Sequence, residues 1–576
     1  MTLDGLTICA LVTELAPLIL GAKIEKINMP QKDEILLLLH TKEGKRRLLL
    51  SASASDPRLH LTEQQKPNPE RAFNFCMFLR KYLSGGRIEG ICQVGLERVV
   101  QISISAKDEM GIACSYLLSL EIMGKYSNLI LVHQNGKIMD SIKHISVDTS
   151  SKRQVLPGVR YALPPMKKRN PLASTPLQIA EAIAQKHMPG ALVEELEGIS
   201  PQTAEQLLAK YFSNPPALLP KEQAEAFGAF IHSYLKKILA GPSPCVQQNM
   251  AGVPVFLSLI PYLAYSEKGR LFFQSANQAV DYYYAKRDLL QKLEQERGRL
   301  LRVLRKNISR VEKKLKIQLE TVQAAGKAEQ LRLYGELISA NIYQLKRGMK
   351  TAQLLNYYTG EQASIPLDVS LSPSANAAKY FKRANKLKNG LAIAKKQAAQ
   401  YQKELAYLQE LEYGAEAAQD LADLQEVRAE LVRYGYLTLE PREKLTRSDP
   451  LEKPMEFELS SGSKVLAGRN SRQNDALTLH VAGEADYWFH AKNQPGSHVI
   501  LFTEGKELKD QDVIEAATIA ATYCKGSRAG KVEIDYAPRK NVWKPNGARP
   551  GMVTYEHYWS ILVSPDQALT ERLRKN

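Results

Sequence analysis

Between Tyr283 and Tyr436 the apolar residues recur in steps of three and four. Leu290, Leu293, Leu300, Leu304, Ile308, Val311, Leu315, Leu319 and Val322 mark one helix. Leu387, Leu391, Ala394, Ala398, Tyr401, Leu405 and Leu408 mark a second. This is the spacing of a coiled-coil seam. Thr359-Gly360 and the segment 366–373, which runs from proline to proline, interrupt it. The pattern predicts a long antiparallel coiled-coil hairpin over 283–436, with a small tip near 330–378. Arms of about 40 residues reach roughly 60 Å at 1.5 Å per residue.

Elsewhere the pattern alternates. A helix over 4–20, with Asp4 as its N-cap, precedes strands near 23–29, 34–40, 46–51 and 58–61. A helix over 72–83 stops at Gly85-Gly86, and strands follow near 87–94, 98–105, 115–122 and 128–132. Residues 1–165 therefore read as an α+β domain. Residues 166–282 alternate Pro-rich joints with short helices and end in a return strand near 253–263. Within them, helices after Met188-Pro189-Gly190 and after Gly198-Ile199-Ser200-Pro201 have the order of a helix-hairpin-helix, whose turn offers N–H groups to a phosphate. An ordinary helix–helix turn has the same appearance. A charged, Pro-bounded linker spans 437–454, and 455–576 read as a second α+β unit, with strands near 456–460, 464–467, 487–491, 497–502, 531–535 and 551–563 and helices near 474–481 and 511–524. The fold class is multidomain α+β.

Charge adds a partner class. The 576-residue chain carries a formal charge of +17, which favours a polyanion over a neutral small molecule. The bias is strong on the first arm, where 286–316 hold twelve basic and four acidic residues. Two readings are open: a solvated helix face, or a rod that lies along RNA through Arg297, Arg302, Arg305 and Lys306. The six cysteines form no C-x-x-C pair and read as reduced core residues. No apolar run reaches membrane-spanning length, and 6–20 lack the basic flank of a signal peptide, so the expectation is a cytoplasmic protein with no membrane partner.

Three constellations have chemistry to offer. Glu97-Arg98 follows Gly95 at the start of a strand. Residues 121–128, EIMGKYSN, set Glu121, Met123, Gly124, Lys125, Ser127 and Asn128 in a polar turn between apolar strands, with anion-binding capacity. Both also read as ordinary solvent-exposed turns. In the last unit, Arg469 and Arg472 precede a helix, and Trp488, Phe489, His490, Lys492 and His498 crowd a short stretch. Aromatic faces beside cations suit unpaired RNA bases, although alternate strand residues must also face a core. No third ligand accompanies the two histidines, so neither metal nor cofactor is expected. Dinucleotide, P-loop and hydrolase motifs are missing, so a non-catalytic nucleic-acid binder is expected.

Several long stretches together resemble the NFACT family of ribosome quality control factors. They are MTLDG, FCMFLRKYLSGGRI, GLERVV, EIMGKYSNLIL, SKRQVLPGVRYALPP, SPSANAAKYFKRANKLK, GRNSRQND and DYWFHAKNQPGSHVIL, in that order over the whole chain. The resemblance implies an NFACT-N domain, a helix-hairpin-helix part, a coiled-coil middle and an NFACT-R RNA-binding domain. It implies rescue of stalled ribosomes. The factor binds a large (50S) subunit still holding nascent peptidyl-tRNA, touching 23S rRNA and stalk-base proteins. It recruits tRNA, alanyl-tRNA in bacteria, and directs alanine tailing without mRNA. The ribosome makes the peptide bond, and there is room for a small RNA-binding partner at the P site.

The family's Asp-Arg tRNA-binding pair falls on Glu97-Arg98, where Glu reaches one methylene further than Asp. The 121–128 turn would share that tRNA-binding domain. The same parts also resemble formamidopyrimidine-type DNA glycosylases. Those use an N-terminal proline, whereas this chain begins Met1-Thr2. Some relatives are labelled fibronectin-binding surface adhesins, a role at odds with the expected cytoplasmic location.

Overall fold

The computed structural model describes residues 3–107, 110–148, 153–438, 453–505, 507–528 and 530–575. The expected 437–454 linker falls almost wholly outside them. The chain divides into two compact units, residues 1–290 and 291–576. Among the described residues no helix is long and apolar enough to cross a membrane.

The first unit is built on one antiparallel sheet. Its strands are β1 (Lys23–Gln31), β2 (Glu34–Thr41), β3 (Gly44–Ser51), β4 (Arg58–Leu61), β5 (Arg87–Gln93), β6 (Val99–Lys107), β7 (Ala113–Glu121), β8 (Asn128–His133) and β9 (Ile138–Ser141). They lie in the order β4-β3-β2-β1-β5-β6-β7-β8-β9. The first four strands run outward as a meander, and the chain returns through α2 (Asn74–Leu83) to run the other way. Alternating Ile and Leu, such as Ile102 and Ile104 on β6, close one face against α1 (Gly5–Ile19) and α2. Asp4 caps α1 as expected: its carboxylate accepts from the Thr7 N–H at 2.8 Å.

Four helices follow: α3 (Pro176–Ile183), α4 (Gly190–Glu195), α5 (Pro201–Tyr211) and α6 (Lys221–Ala240). The turn between α4 and α5 passes through Gly198 at φ +75°, a left-handed value that glycine adopts without strain. A small sheet, β10 (Cys245–Gln248), β11 (Pro254–Ser258) and β12 (Arg270–Phe272), has the order β11-β10-β12. The single long strand expected near 253–263 is thus one short member of three. Its neighbours escaped detection because strands of three and four residues carry too few alternations to stand out.

The long helix α7 (Ala276–Ala325) begins in the first unit and continues into the second. Its root is clamped to edge strand β4. Asp288 accepts from Arg58 at 2.7 Å and from Lys66 at 2.8 Å, and both cations also meet the buried Glu34.

In the second unit α7 pairs with α9 (Pro373–Ala417). Arg297 donates to the Ala418 carbonyl, Arg305 meets Glu412, and Lys314 lies over the Tyr401 ring, so numbers fall on one helix as they rise on the other. That is the antiparallel pairing expected. The seam is uneven: Leu300, Leu304 and Val311 are buried, but Leu319 is exposed. A third helix, α10 (Leu421–Arg433), completes the core near the root with Leu424, Val427 and Leu431. The tip contains α8 (Ala328–Ala340) and a hairpin of β13 (Thr351–Leu355) and β14 (Gln362–Pro366).

The last part is a second α+β layer structure. Strands β15 (Met455–Glu458), β16 (Lys464–Ala467), β17 (Tyr487–Ala491), β18 (Val499–Leu501), β19 (Val532–Pro538) and β22 (Trp559–Val563) take the order β15-β16-β18-β17-β19-β22. Helix α12 (Asp510–Thr522) covers one face, and its run of alanines lets it pack close to Phe489 and Val499. The other face carries Trp488 and Ile500, packed with Leu477 of a π-turn over Leu477–Val481 that follows α11 (Ser471–Ala476). A two-residue ribbon, β20 (Val542–Trp543) with β21 (Thr554–Tyr555), precedes β22, and α13 (Gln567–Leu573) follows it.

Candidate nucleic-acid interface

Two of the expected clusters come together at one end of the nine-stranded sheet. Glu97-Arg98 closes the β5–β6 hairpin, and the 121–128 turn joins β7 to β8. Strands β6 and β7 are paired with Val99 opposite Glu121, and the Ile122 N–H donates to the Arg98 carbonyl at 2.8 Å. The two turns are therefore neighbours in space although about two dozen residues separate them in the chain.

The Glu97-Arg98 turn is held from three sides. The Gln93 side-chain amide donates to the carbonyls of Gly5 and Glu97, each at 2.9 Å. The Leu96 N–H donates to Glu197 at 3.0 Å, and the Gly5 N–H donates to the Gly198 carbonyl at 3.2 Å. Of the two readings of the α4–α5 turn, a phosphate-binding hairpin or an ordinary helix–helix turn, the packing of Gly198 against Gly5 at the start of α1 and the Leu96 backbone suits the second. Burial raises the Glu197 carboxyl above its ordinary value; the Leu96 N–H opposes this and the nearby Glu97 charge adds to it. Glu97 and Arg98 themselves are half-buried at the rim. A preformed turn of this kind presents a cation and a carboxylate with little ordering cost on binding.

In the second turn the residues divide by burial. Lys125 is exposed, its ammonium 4.9 Å from the Tyr126 ring centre, and Met123 and Gly124 are half-buried. Glu121, Ser127 and Asn128 are buried and engaged. Glu121 meets Arg153 and Tyr161. Ser127 accepts from the Met123 N–H at 2.8 Å, and Asn128 exchanges hydrogen bonds with the Lys143 backbone. In place of the direct contact expected from the sequence, these three side chains hold the turn's shape. Arg153 and Tyr161 belong to a stretch, SKRQVLPGVRYALPP, to which no role was given; nothing local marks Arg153 as the partner of a carboxylate 32 residues away.

The basic arm of α7 is also mixed. Arg297 is tied to Glu294 and Ala418, and Arg305 is shared between Glu412 and Glu416 at 3.2 Å each. Arg302 donates back to Gly298, one turn earlier on its own helix, and Lys306 is exposed. An exposed row of cations survives, but it is shorter than the count of basic residues implied.

In the C-terminal part, Arg469 lies 3.9 Å from Asp420 and Arg472 lies 3.7 Å from Glu426, both on the middle helices. Lys525 likewise meets Glu412 at 3.0 Å. Trp488 is wholly buried, with its ring 5.6 Å from His490, 5.3 Å from His498 and 4.8 Å from Tyr555. The expectation of a stacking face at Trp488 is corrected: β17 is an interior strand covered on both sides. His498 is buried against Thr478. Burial lowers the His490 imidazole to about 4 and His498 well below its usual range, so both are neutral at pH 7 and attract no phosphate. Lys492 pairs with Glu533 at 2.7 Å and lies 3.7 Å from Asp535.

Exposed aromatic surface lies elsewhere. Trp543 on β20 is 41% exposed, in a stretch, 536–555, with four basic residues and no acidic one. That signal was legible in the sequence. The Arg549 guanidinium of the same stretch sits among Tyr407, Tyr434 and Tyr436, 4.5, 5.0 and 5.4 Å from their ring centres. Among the described residues no group of three His, Cys, Asp or Glu side chains is placed to hold a metal ion.

Comparison with known proteins places these features. Residues 4–449 match the family model for NFACT N-terminal and middle domains, and residues 453–556 match that for the NFACT protein RNA binding domain. The chain is 34% identical over 587 residues to the Rqc2 homolog RqcH of Bacillus subtilis, covering 100% of both chains. It is 32% identical over 571 residues to the Rqc2 homolog RqcH of Streptococcus suis, covering 98% of this chain and 99% of the relative. Among solved structures, the N-terminal part of a fibronectin/fibrinogen-binding protein from Streptococcus suis matches 49% of this chain and 98% of its own length at 29% identity, with a TM-score of 0.42.

Proposed function

We propose, from the premise that this chain belongs to the NFACT family, that it is a ribosome quality control factor. It binds large (50S) ribosomal subunits obstructed by peptidyl-tRNA and recruits a charged tRNA, alanyl-tRNA, so that the stalled chain is extended at its C-terminus without mRNA. The protein positions its substrates and the ribosome's RNA makes the bond. It works in the cytoplasm. The similarity to the RqcH proteins over the full length of both chains carries this reading.

In this reading Arg98 and Glu97 contact the tRNA, with Lys125 and the Met123-Gly124 backbone beside them. Arg98 suits a phosphate or a base edge, and Glu97 accepts from an exocyclic amine or a ribose hydroxyl. Their shared rim at the end of the sheet supports the assignment. Arg302 and Lys306 lie along ribosomal RNA.

The test is a tagged pull-down from lysate at moderate salt, with the bound RNA and proteins identified. Large-subunit RNA with one enriched tRNA species is expected. Arg98→Ala should lose the tRNA and keep the subunit. Recovery of both subunits with bulk tRNA, or of DNA, would overturn the reading.

A further inference from the structure

A cavity of about 310 Å³ lies between α9 and the 545–554 loop. Lys403 and Tyr407 form one wall; Arg549, Met552 and Thr554 form the other. We propose that this cavity and the neighbouring Trp543 form a subsite for single-stranded RNA, in which one base stacks on the indole and the next enters the cavity. The proposal rests on the RNA-binding reading of residues 453–556 and assigns that activity to particular side chains.

Three observations converge. Trp543 stands opposite Thr554 in the β20–β21 ladder, and directly opposed residues project to the same side. The exposed indole therefore stands on the same side of the ribbon as Thr554, which lines the cavity. An exposed tryptophan beside a cavity is a stacking platform, and stacking serves any base because every base has a π face.

The charge is right for a backbone. Lys403 is exposed on the α9 wall, and Arg549 is fixed on the other by its three tyrosine rings and by donation to the Tyr436 hydroxyl at 2.7 Å. The one carboxylate on the wall, Glu404, is turned to the Tyr436 hydroxyl at 2.9 Å. Two cations against one engaged carboxylate favour a phosphate between the two bases.

Size and polarity exclude a duplex. The volume lies at the lower end of small-ligand sites and admits one base with part of its ribose. Met552 and Val553 supply an apolar side for the ring. A paired base keeps its faces covered by its neighbours and cannot enter.

The experiment uses the full chain and a labelled mixed-sequence RNA of about 12 nucleotides, single-stranded or annealed to its complement, read by anisotropy. Trp543→Ala should weaken single-strand binding about tenfold. Thr554→Trp, which fills the mouth, should do the same. Duplex binding and the melting temperature should not change. Lys403→Ala should lower the single-strand salt slope by about 0.7. Unchanged single-strand affinity in both Trp543→Ala and Thr554→Trp would overturn the subsite while leaving RNA binding intact. If the wild-type chain binds neither RNA, the RNA-binding reading itself fails and the subsite with it.

Discussion

The Glu121 carboxylate and the Arg153 guanidinium meet fork to fork, Nη1 on Oε2 at 2.9 Å and Nη2 on Oε1 at 2.5 Å. Glu121 is 2% exposed. Tyr161 adds a third donor to the same carboxylate at 3.0 Å. Removing one partner strands the other charge in the interior. Glu121→Ala should therefore lower the unfolding free energy by about 3–5 kcal/mol, measured by urea titration. Replacing both partners with apolar residues of similar volume should recover much of that loss. If Glu121→Ala melts like the wild type, the pair is not holding the turn.

Arg98 is the contrasting case. It lies half-buried at the rim of the same sheet end, where Glu121 is buried. Arg98→Ala should weaken tRNA binding by about 1–3 kcal/mol, measured by filter binding. Its stability should change by no more than about 0.5 kcal/mol. A fall in both quantities together would mean that Arg98 supports the turn as Glu121 does.

On α7 the cations should separate by their present partners. Arg302 and Lys306 face outward, so Arg302→Glu with Lys306→Glu should lower the salt slope of subunit binding by about two units. Arg305→Glu would face Glu412 and Glu416 and should also lower the melting temperature, because like charges then oppose one another across the helix pair. An unchanged slope in the double variant would mark the row as merely solvated.

The root of the middle helices should respond to pH. Burial raises the Glu410 carboxyl to about 8, with the Gly496 N–H opposing and the Glu430 charge adding to it. Burial likewise raises Glu430 to about 7, against the hydrogen bond from Tyr407. Both groups hold protons in the folded state that the unfolded chain releases near 4.5. At these two sites the folded state thus binds more protons over this window. The contribution of these two carboxyls to stability therefore falls as pH rises from about 4.5 to about 8 and levels off above, while the buried His490 and His498, neutral in the fold, contribute the opposite slope below about 6.5. Glu410→Gln should remove part of that slope, raising stability at pH 8 by on the order of 1–2 kcal/mol and leaving it unchanged near pH 4. Melting curves of the two proteins across that range provide the check.

Much of the architecture was legible because it is local. The step of three and four along α7 and α9 reports which side of a helix is buried, and Asp4 before an apolar run reports where α1 starts. Strands β4 and β17 were read at their observed bounds because turn residues or a change of pattern flank them. The short strands β10 and β12 and the third helix α10 were missed. The first two carry too few alternations, and α10 was absorbed into the end of a longer expected arm.

By itself, then, the sequence determined most of the helices and strands, the basic arm and the order of the family's motifs. Tertiary structure decided which polar residues are available. Glu121 and Lys125 sit in one turn, yet one is consumed by Arg153 and the other is exposed. Trp488 and Trp543 both stand in stretches of aromatic and basic residues, and either suits a base by its chemistry. Trp488 falls on an interior strand covered on both faces, and Trp543 on a two-residue ribbon at the surface. A side chain's partners come from distant parts of the chain, and periodicity reports only the near ones.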